Sequence, residues 1–165
     1  MSSLRADRLM MGASDERSSR GGDRRGRPTR VLIVEDEVLI AFGLQADLVA
    51  RGIAVIGPAT TLAAALEHAK QSDLDGAILD VDLRGEEVFP VAEILRERGV
   101  PFVFHTARPC EQMPAAFARV PRVSKLARIA ELLAALGSGS IRSGRPMEVA
   151  LENWEENHRE RGSQA

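Results

Sequence analysis

Five side chains in this sequence have the types and spacing that phosphoryl chemistry needs. Glu35 and Asp36 stand where the apolar run Val31-Leu32-Ile33-Val34 stops, and Asp80 stands where Ala77-Ile78-Leu79 stops. Thr106 and Lys125 follow two further runs, Pro101-Phe102-Val103-Phe104 and Arg122-Val123-Ser124. Carboxylates about 4 Å apart repel by several kcal/mol at an effective dielectric of about 20, and a divalent cation relieves that repulsion. Magnesium suits such a cluster, because it takes oxygen ligands, needs one or two protein carboxylates and keeps waters that phosphate oxygens replace. Asp36, Asp80 and the backbone carbonyl of Asp82 are the expected Mg2+ ligands, with Glu35 behind them or bridged through water. Asp80 is then the nucleophile toward a phosphoryl group. Lys125 offers a compact charge to one phosphoryl oxygen, and the Thr106 hydroxyl donates to another. An Asp at the end of a strand also serves as a helix cap; what favours chemistry at Asp80 is the company of the other four residues.

Those residues converge only if the runs are neighbouring strands of one sheet. Ile40, Leu44 and Leu48 recur four apart after the first run, which predicts a helix stopped by Gly52. Ile53-Ala54-Val55-Ile56 is the expected second strand, closed by Gly57-Pro58, and Thr60 or Thr61 caps a second helix with Leu62, Leu66 and Ala69 inward. Val88, Val91 and Leu95 mark a third helix that tolerates Pro90 in its first turn and ends at Gly99. Alternation along the fourth strand puts Phe102, Phe104 and Thr106 on one side and His105 on the other. Pro109 and Pro114 leave only a short or irregular helix around Ala115 to Ala118. The short fifth strand ends at Lys125, and Ile129, Leu132, Leu133 and Leu136 mark the last helix. Strands alternating with helices predict an α/β fold, a doubly wound five-stranded parallel sheet of flavodoxin-like order 2-1-3-4-5. In that order the ends of strands one, three, four and five share one rim.

The chain of 165 residues is 44% hydrophobic and 28% charged, enough for one core with chain to spare. Residues 1–28 read as a disordered basic arm, with Arg5, Arg8, Arg17, Arg20, Arg24, Arg25 and Arg27 among serines and glycines. Residues 29–136 hold the folded domain. Residues 137–165 read as a linker, Gly137-Ser138-Gly139-Ser140, and an acidic tail in which Met147, Leu151 and Trp154 have the spacing of a short amphipathic helix. The net charge of -2 gives no reason to expect a nucleic-acid partner. The single cysteine, Cys110, fits a reducing compartment, and no apolar segment suits a signal peptide or a membrane span. The expectation is a cytoplasmic protein.

With these residues in place, the stretch from Thr29 to Leu136 resembles the receiver domain of two-component response regulators. The resemblance rests on the acid pair Glu35-Asp36, the acceptor Asp80, Thr106 followed by Ala107, and Lys125. GPATTLAAALEHA, LDVDLRGEEVFPVA and RGVPFVFHTA resemble the stand-alone regulators that carry a Phe-Ala-Thr-Gly-Tyr motif after the fourth strand. The resemblance implies a single-domain receiver in a phosphorelay, phosphorylated on Asp80 (as 4-aspartylphosphate) with Mg2+ by a sensor histidine kinase or a histidine phosphotransfer protein. It implies signalling to an unknown downstream protein by altered protein-protein binding, with no DNA-binding output domain, no membrane attachment and no catalysis beyond its own phosphorylation and dephosphorylation. Five positions depart from the pattern. His105, Ala107 and Arg108 replace Ala, Gly and Tyr of the motif, Leu126 follows Lys125 where the family has proline, and Arg122 takes an aromatic position. Lys125-Leu126 should therefore be trans. Two other readings stand beside this one. A phosphorylation-independent receiver-like binding module accounts for the departures. An aspartate-nucleophile phosphatase is suggested by Asp80-Val81-Asp82, but its acidic metal pair should follow the lysine, whereas Glu35-Asp36 precede the nucleophile.

Overall fold

The computed structural model describes residues 29–109 and 113–143. The basic arm, Cys110 and the acidic tail beyond Ser143 lie outside the described residues. In chain order the elements are β1 (Arg30–Val34), α1 (Val38–Val49), β2 (Ala54–Ala59), α2 (Leu62–Gln71), β3 (Gly76–Leu79), β4 (Asp82–Leu83), β5 (Glu86–Glu87), α3 (Phe89–Glu97), β6 (Phe102–His105), β7 (Arg122–Val123) and α4 (Ile129–Ser143). The order β2-β1-β3-β6-β7 is parallel throughout. It is the flavodoxin-like order read from the sequence, with β4 and β5 forming a separate antiparallel hairpin.

Both faces of the sheet are covered, which is why Val31–Val34 of β1, all of β3 and Phe102–Phe104 of β6 are apolar without interruption. Leu32, Val34, Leu79 and Phe104 pack under α2 and α3 with Ala65, Ala69, Val91 and Leu95. Val31, Ile33, Ile78 and Val103 pack on the other face against Leu44 and Leu48 of α1 and Leu132, Leu133 and Leu136 of α4. The register pairs Ile33 with Ile78 and Ile78 with Val103. One two-residue step further along each strand therefore brings Glu35, Asp80 and His105 to the same face at the rim.

Local chemistry sets most boundaries as expected. The Ala64 N–H donates to Thr61 Oγ1 at 3.3 Å, capping α2, and Pro90 sits in the first turn of α3, where its missing N–H costs nothing. Lys125-Leu126 is trans, and the cis peptide among the described residues is Gly57-Pro58. Two expectations, the end of β2 and the start of the linker, are corrected. β2 does not close at Gly57-Pro58 but runs on to Ala59, its register shifting between Leu32 and Val34 of β1. Arg84 and Gly85, with φ of 57° and 91°, form the tight turn of the β4–β5 hairpin. The backbone of α4 continues through Gly137-Ser138-Gly139-Ser140 to Ser143, where a linker was expected. Each glycine costs a helix only about 1 kcal/mol, less than is needed to stop a helix already propagating from a packed face.

Among the described residues of the crossover between β6 and β7 there is a 3-10 turn, Ala115–Phe117, where the prolines predict a short or irregular helix. Phe117 covers the sheet there, stacked on Phe89 at 5.5 Å and edge-on to Phe104 at 5.9 Å. Among the described residues, no helix is long and apolar enough to cross a membrane.

Candidate functional site

Backbone ladder bonds fix the rim before any side chain acts. The Glu35 N–H donates to Ala59 O at 3.0 Å, the Asp80 N–H to Val34 O at 2.8 Å and the Thr106 N–H to Val123 O at 3.1 Å. Glu35 and Asp80 are consequently buried, at 1% and 4% exposure, although both are acids. Glu35, Asp36 and Asp80 each present a carboxylate oxygen, and these oxygens lie within 4.8 Å of one another. Lys125, delivered by the end of β7, places its Nζ 2.6 Å from Asp80 Oδ2 and 2.9 Å from Glu35 Oε1. The same ammonium lies 2.6 Å from Glu37 Oε1.

Electrostatics follow from this crowding. Burial pushes the Glu35 carboxyl above the ordinary carboxylate range, and the hydrogen bond from Lys125 opposes that rise. Burial alone would lower the Lys125 pKa, but hydrogen bonds to Asp80, Glu37 and Glu35 outweigh it and hold the ammonium charged. Burial lowers the His105 pKa, and the Lys125 charge lowers it further against the pull of Asp80.

Glu35, Asp36, Asp80 and Lys125 are thus brought together. Thr106 closes β6 and is buried, with its Oγ1 accepting from the Arg108 N–H at 3.1 Å. The Asp82 side chain turns to its own hairpin, where Oδ1 accepts from the Gly85 N–H at 2.7 Å and Oδ2 lies 3.5 Å from Arg108 Nη2. Any share of Asp82 in the acidic cluster falls to its backbone.

Glu37, Arg84 and His105 were not read as site residues from the sequence, whereas Arg108, two residues after Thr106, was expected to reach the entry of attacking water. Glu37 binds Lys125, and its signal was the third acid in the run Glu35-Asp36-Glu37. Arg84 Nε lies 3.7 Å from Asp36 Oδ2. Arg108 also bridges to Glu87 at 2.6 Å, pinning the segment after β6 to the hairpin. His105 is 2% exposed, and its Nδ1 lies 3.9 Å from Glu35 Oε2. Counting in twos from Val103 would have placed His105 beside the acids, because Ile33 and Ile78 precede Glu35 and Asp80 by the same step.

The donor set fits a hard divalent cation: three carboxylates converge at the rim and offer oxygen donors alone. No protein-family model matches the chain. SdrG from Sphingomonas melonis Fr1 is 41% identical, with a TM-score of 0.59 over 66% of this chain and 96% of SdrG. The response regulator REC domain of PhyR from Erythrobacter litoralis is 26% identical, with a TM-score of 0.60 over 69% of this chain and 91% of that domain. The phyllosphere-induced regulator PhyR of Methylorubrum extorquens is 39% identical over 84 residues, which are 49% of this chain. The matched segment spans 32% of that regulator's length.

Proposed function

This chain belongs to the response regulator receiver domains, and on that premise we propose that it is a receiver that accepts a phosphoryl group on Asp80. The observation that carries the reading is the environment of Asp80, a buried carboxylate with Lys125 Nζ at 2.6 Å and the acids Glu35 and Asp36 alongside. Asp36, Asp80 and the Asp82 carbonyl are the residues to hold Mg2+, with Glu35 behind them. When bound, the cation offsets the negative charge of the phosphoryl oxygens.

The chain's own groups do the rest. An Asp80 oxygen attacks phosphorus, an O–P bond forms, and the P–N bond to the donor histidine breaks, its electron pair and a proton remaining with the imidazole. Lys125, already beside Asp80, neutralises a phosphoryl oxygen. Thr106 rotates its hydroxyl from the Arg108 N–H to donate to another oxygen. The donor is a sensor histidine kinase or a histidine phosphotransfer protein, and the consequence is altered binding of a downstream protein. The fold is that of a signalling regulator, and the chemistry is confined to the chain's own phosphorylation and dephosphorylation in a cytoplasmic setting.

Incubation with acetyl phosphate tests the reading, followed by intact-mass spectrometry with and without Mg2+. One phosphoryl group is expected with Mg2+ and none with EDTA or in Asp80→Asn. An adduct that survives Asp80→Asn refutes the assignment. A second reading, a phosphorylation-independent binding module, is favoured by the Arg108 bridges to Glu87 and Asp82 and by Leu126, which is 95% exposed beside Lys125. It predicts a partner that binds Asp80→Asn and phosphorylated protein alike.

A further inference from the structure

His105 occupies a position where nothing in the phosphoryl chemistry above calls for an imidazole. It is 2% exposed, and neither ring nitrogen has a hydrogen-bond partner among the described residues. Across from it stands the third orphan of the same region, Glu35 Oε2, at 3.9 Å from His105 Nδ1. The other oxygen of Glu35 is fully engaged, accepting from Lys125 Nζ at 2.9 Å and from the Glu37 N–H at 3.1 Å. Leaving a buried polar atom unpaired is costly, and these two unpaired atoms are 3.9 Å apart. An approach of about 1 Å pairs them.

We propose that His105 is a positioning residue of the cation site, hydrogen-bonded to Glu35 Oε2 and holding that carboxylate in the orientation the acidic cluster requires. The inference rests on the reading of Glu35, Asp36 and Asp80 as a cation site. With Lys125 on one oxygen and His105 on the other, the Glu35 carboxylate cannot turn about its last torsion, which is otherwise broad and soft. The neighbouring acids then meet a fixed partner. Groups that orient residues of a metal site in this way typically account for about 10–100-fold in metal affinity.

The experiment is calorimetric titration of the metal-stripped full chain with MnCl2, since Mn2+ accepts the same oxygen donors as Mg2+. Wild type is compared with His105→Gln, which keeps a side-chain N–H, and with His105→Leu, which keeps bulk but no donor; thermal melts confirm that each is folded. Mn2+ should bind His105→Leu about 10–100-fold more weakly than wild type, with most of the affinity regained in His105→Gln. Equal binding by His105→Leu and wild type overturns the inference and leaves the cation site standing. Equal weakening in both variants also overturns it, because the ring then serves only packing. Absence of Mn2+ binding to wild type overturns the inference and the cation site together.

Discussion

Arg84 Nε lies 3.7 Å from Asp36 Oδ2, so a guanidinium already stands against one of the three acids that converge at the rim. The hairpin turn is responsible: Arg84 takes φ of 57°, a left-handed conformation that is uncommon for a side chain of its size, and Gly85 follows at 91°. A cation arriving at Asp36 must displace this side chain. Arg84 is largely exposed, which limits the ion pair to about 1 kcal/mol or less. Arg84→Ala should therefore tighten Mg2+ binding by roughly 2–5-fold at low ionic strength, with the gain shrinking as KCl is added. Titration calorimetry reads this directly, and unchanged or weaker Mg2+ binding contradicts it.

Arg108 works at the other side of the site. Its Nη1 lies 2.6 Å from Glu87 Oε1 and its Nη2 3.5 Å from Asp82 Oδ2, while its main-chain N–H donates to Thr106 Oγ1. The segment after β6 is thereby tied to the hairpin that begins two residues beyond Asp80. Arg108→Ala removes both bridges and should open a path for water, shortening the lifetime of the acyl phosphate several-fold. Decay of the phosphorylated mass peak measures this, and an equal lifetime in the two proteins rejects it.

The sequence announced the rim more clearly than its lining. Apolar runs ending in Glu35 and Asp80 carry strand identity and position together, because a parallel strand buried on both faces must be apolar to its last residue. The parallel register then brings those ends to one edge. Arg84 and Arg108 were not legible in the same way. Their roles depend on a hairpin with two-residue strands, Asp82–Leu83 and Glu86–Glu87, too short to show any period. The extent of α4 was hidden for a different reason: Gly137-Ser138-Gly139-Ser140 carries the composition of a linker, while the helix is nucleated upstream, where Leu132, Leu133 and Leu136 pack on the sheet.

Phe117 anchors the crossover from β6 to β7 on the sheet. In its 3-10 turn Phe117, 2% exposed, fills the space against Phe89, Phe102 and Phe104, with the Arg96 guanidinium 5.3 Å from its ring centre. Phe117→Ala should cost about 3–5 kcal/mol in urea-induced unfolding. A loss below about 1 kcal/mol would mean that the crossover collapses onto the cavity.

Gly57 and Gly76 separate two kinds of glycine. At Gly57 an added Cβ would sit 2.6 Å from the Ala59 nitrogen and 3.0 Å from the Ile33 oxygen, and φ is already 89°. Both neighbours are backbone, at the point where β2 shifts register against β1. Neither can rotate away. The strain reaches the site, since the Ala59 carbonyl at the end of the shifted segment accepts the Glu35 N–H at 3.0 Å. At Gly76 the added Cβ would meet only the Leu136 side chain, nearest at 3.0 Å, whose methyl groups can turn aside. Gly57→Ala should therefore destabilise by about 2 kcal/mol or more and weaken Mg2+ binding. Gly76→Ala should cost about 1 kcal/mol or less and leave Mg2+ binding unchanged. Urea unfolding with parallel Mg2+ titration of the two variants checks both halves, and equal losses of stability would remove the distinction between a fixed and a yielding neighbour.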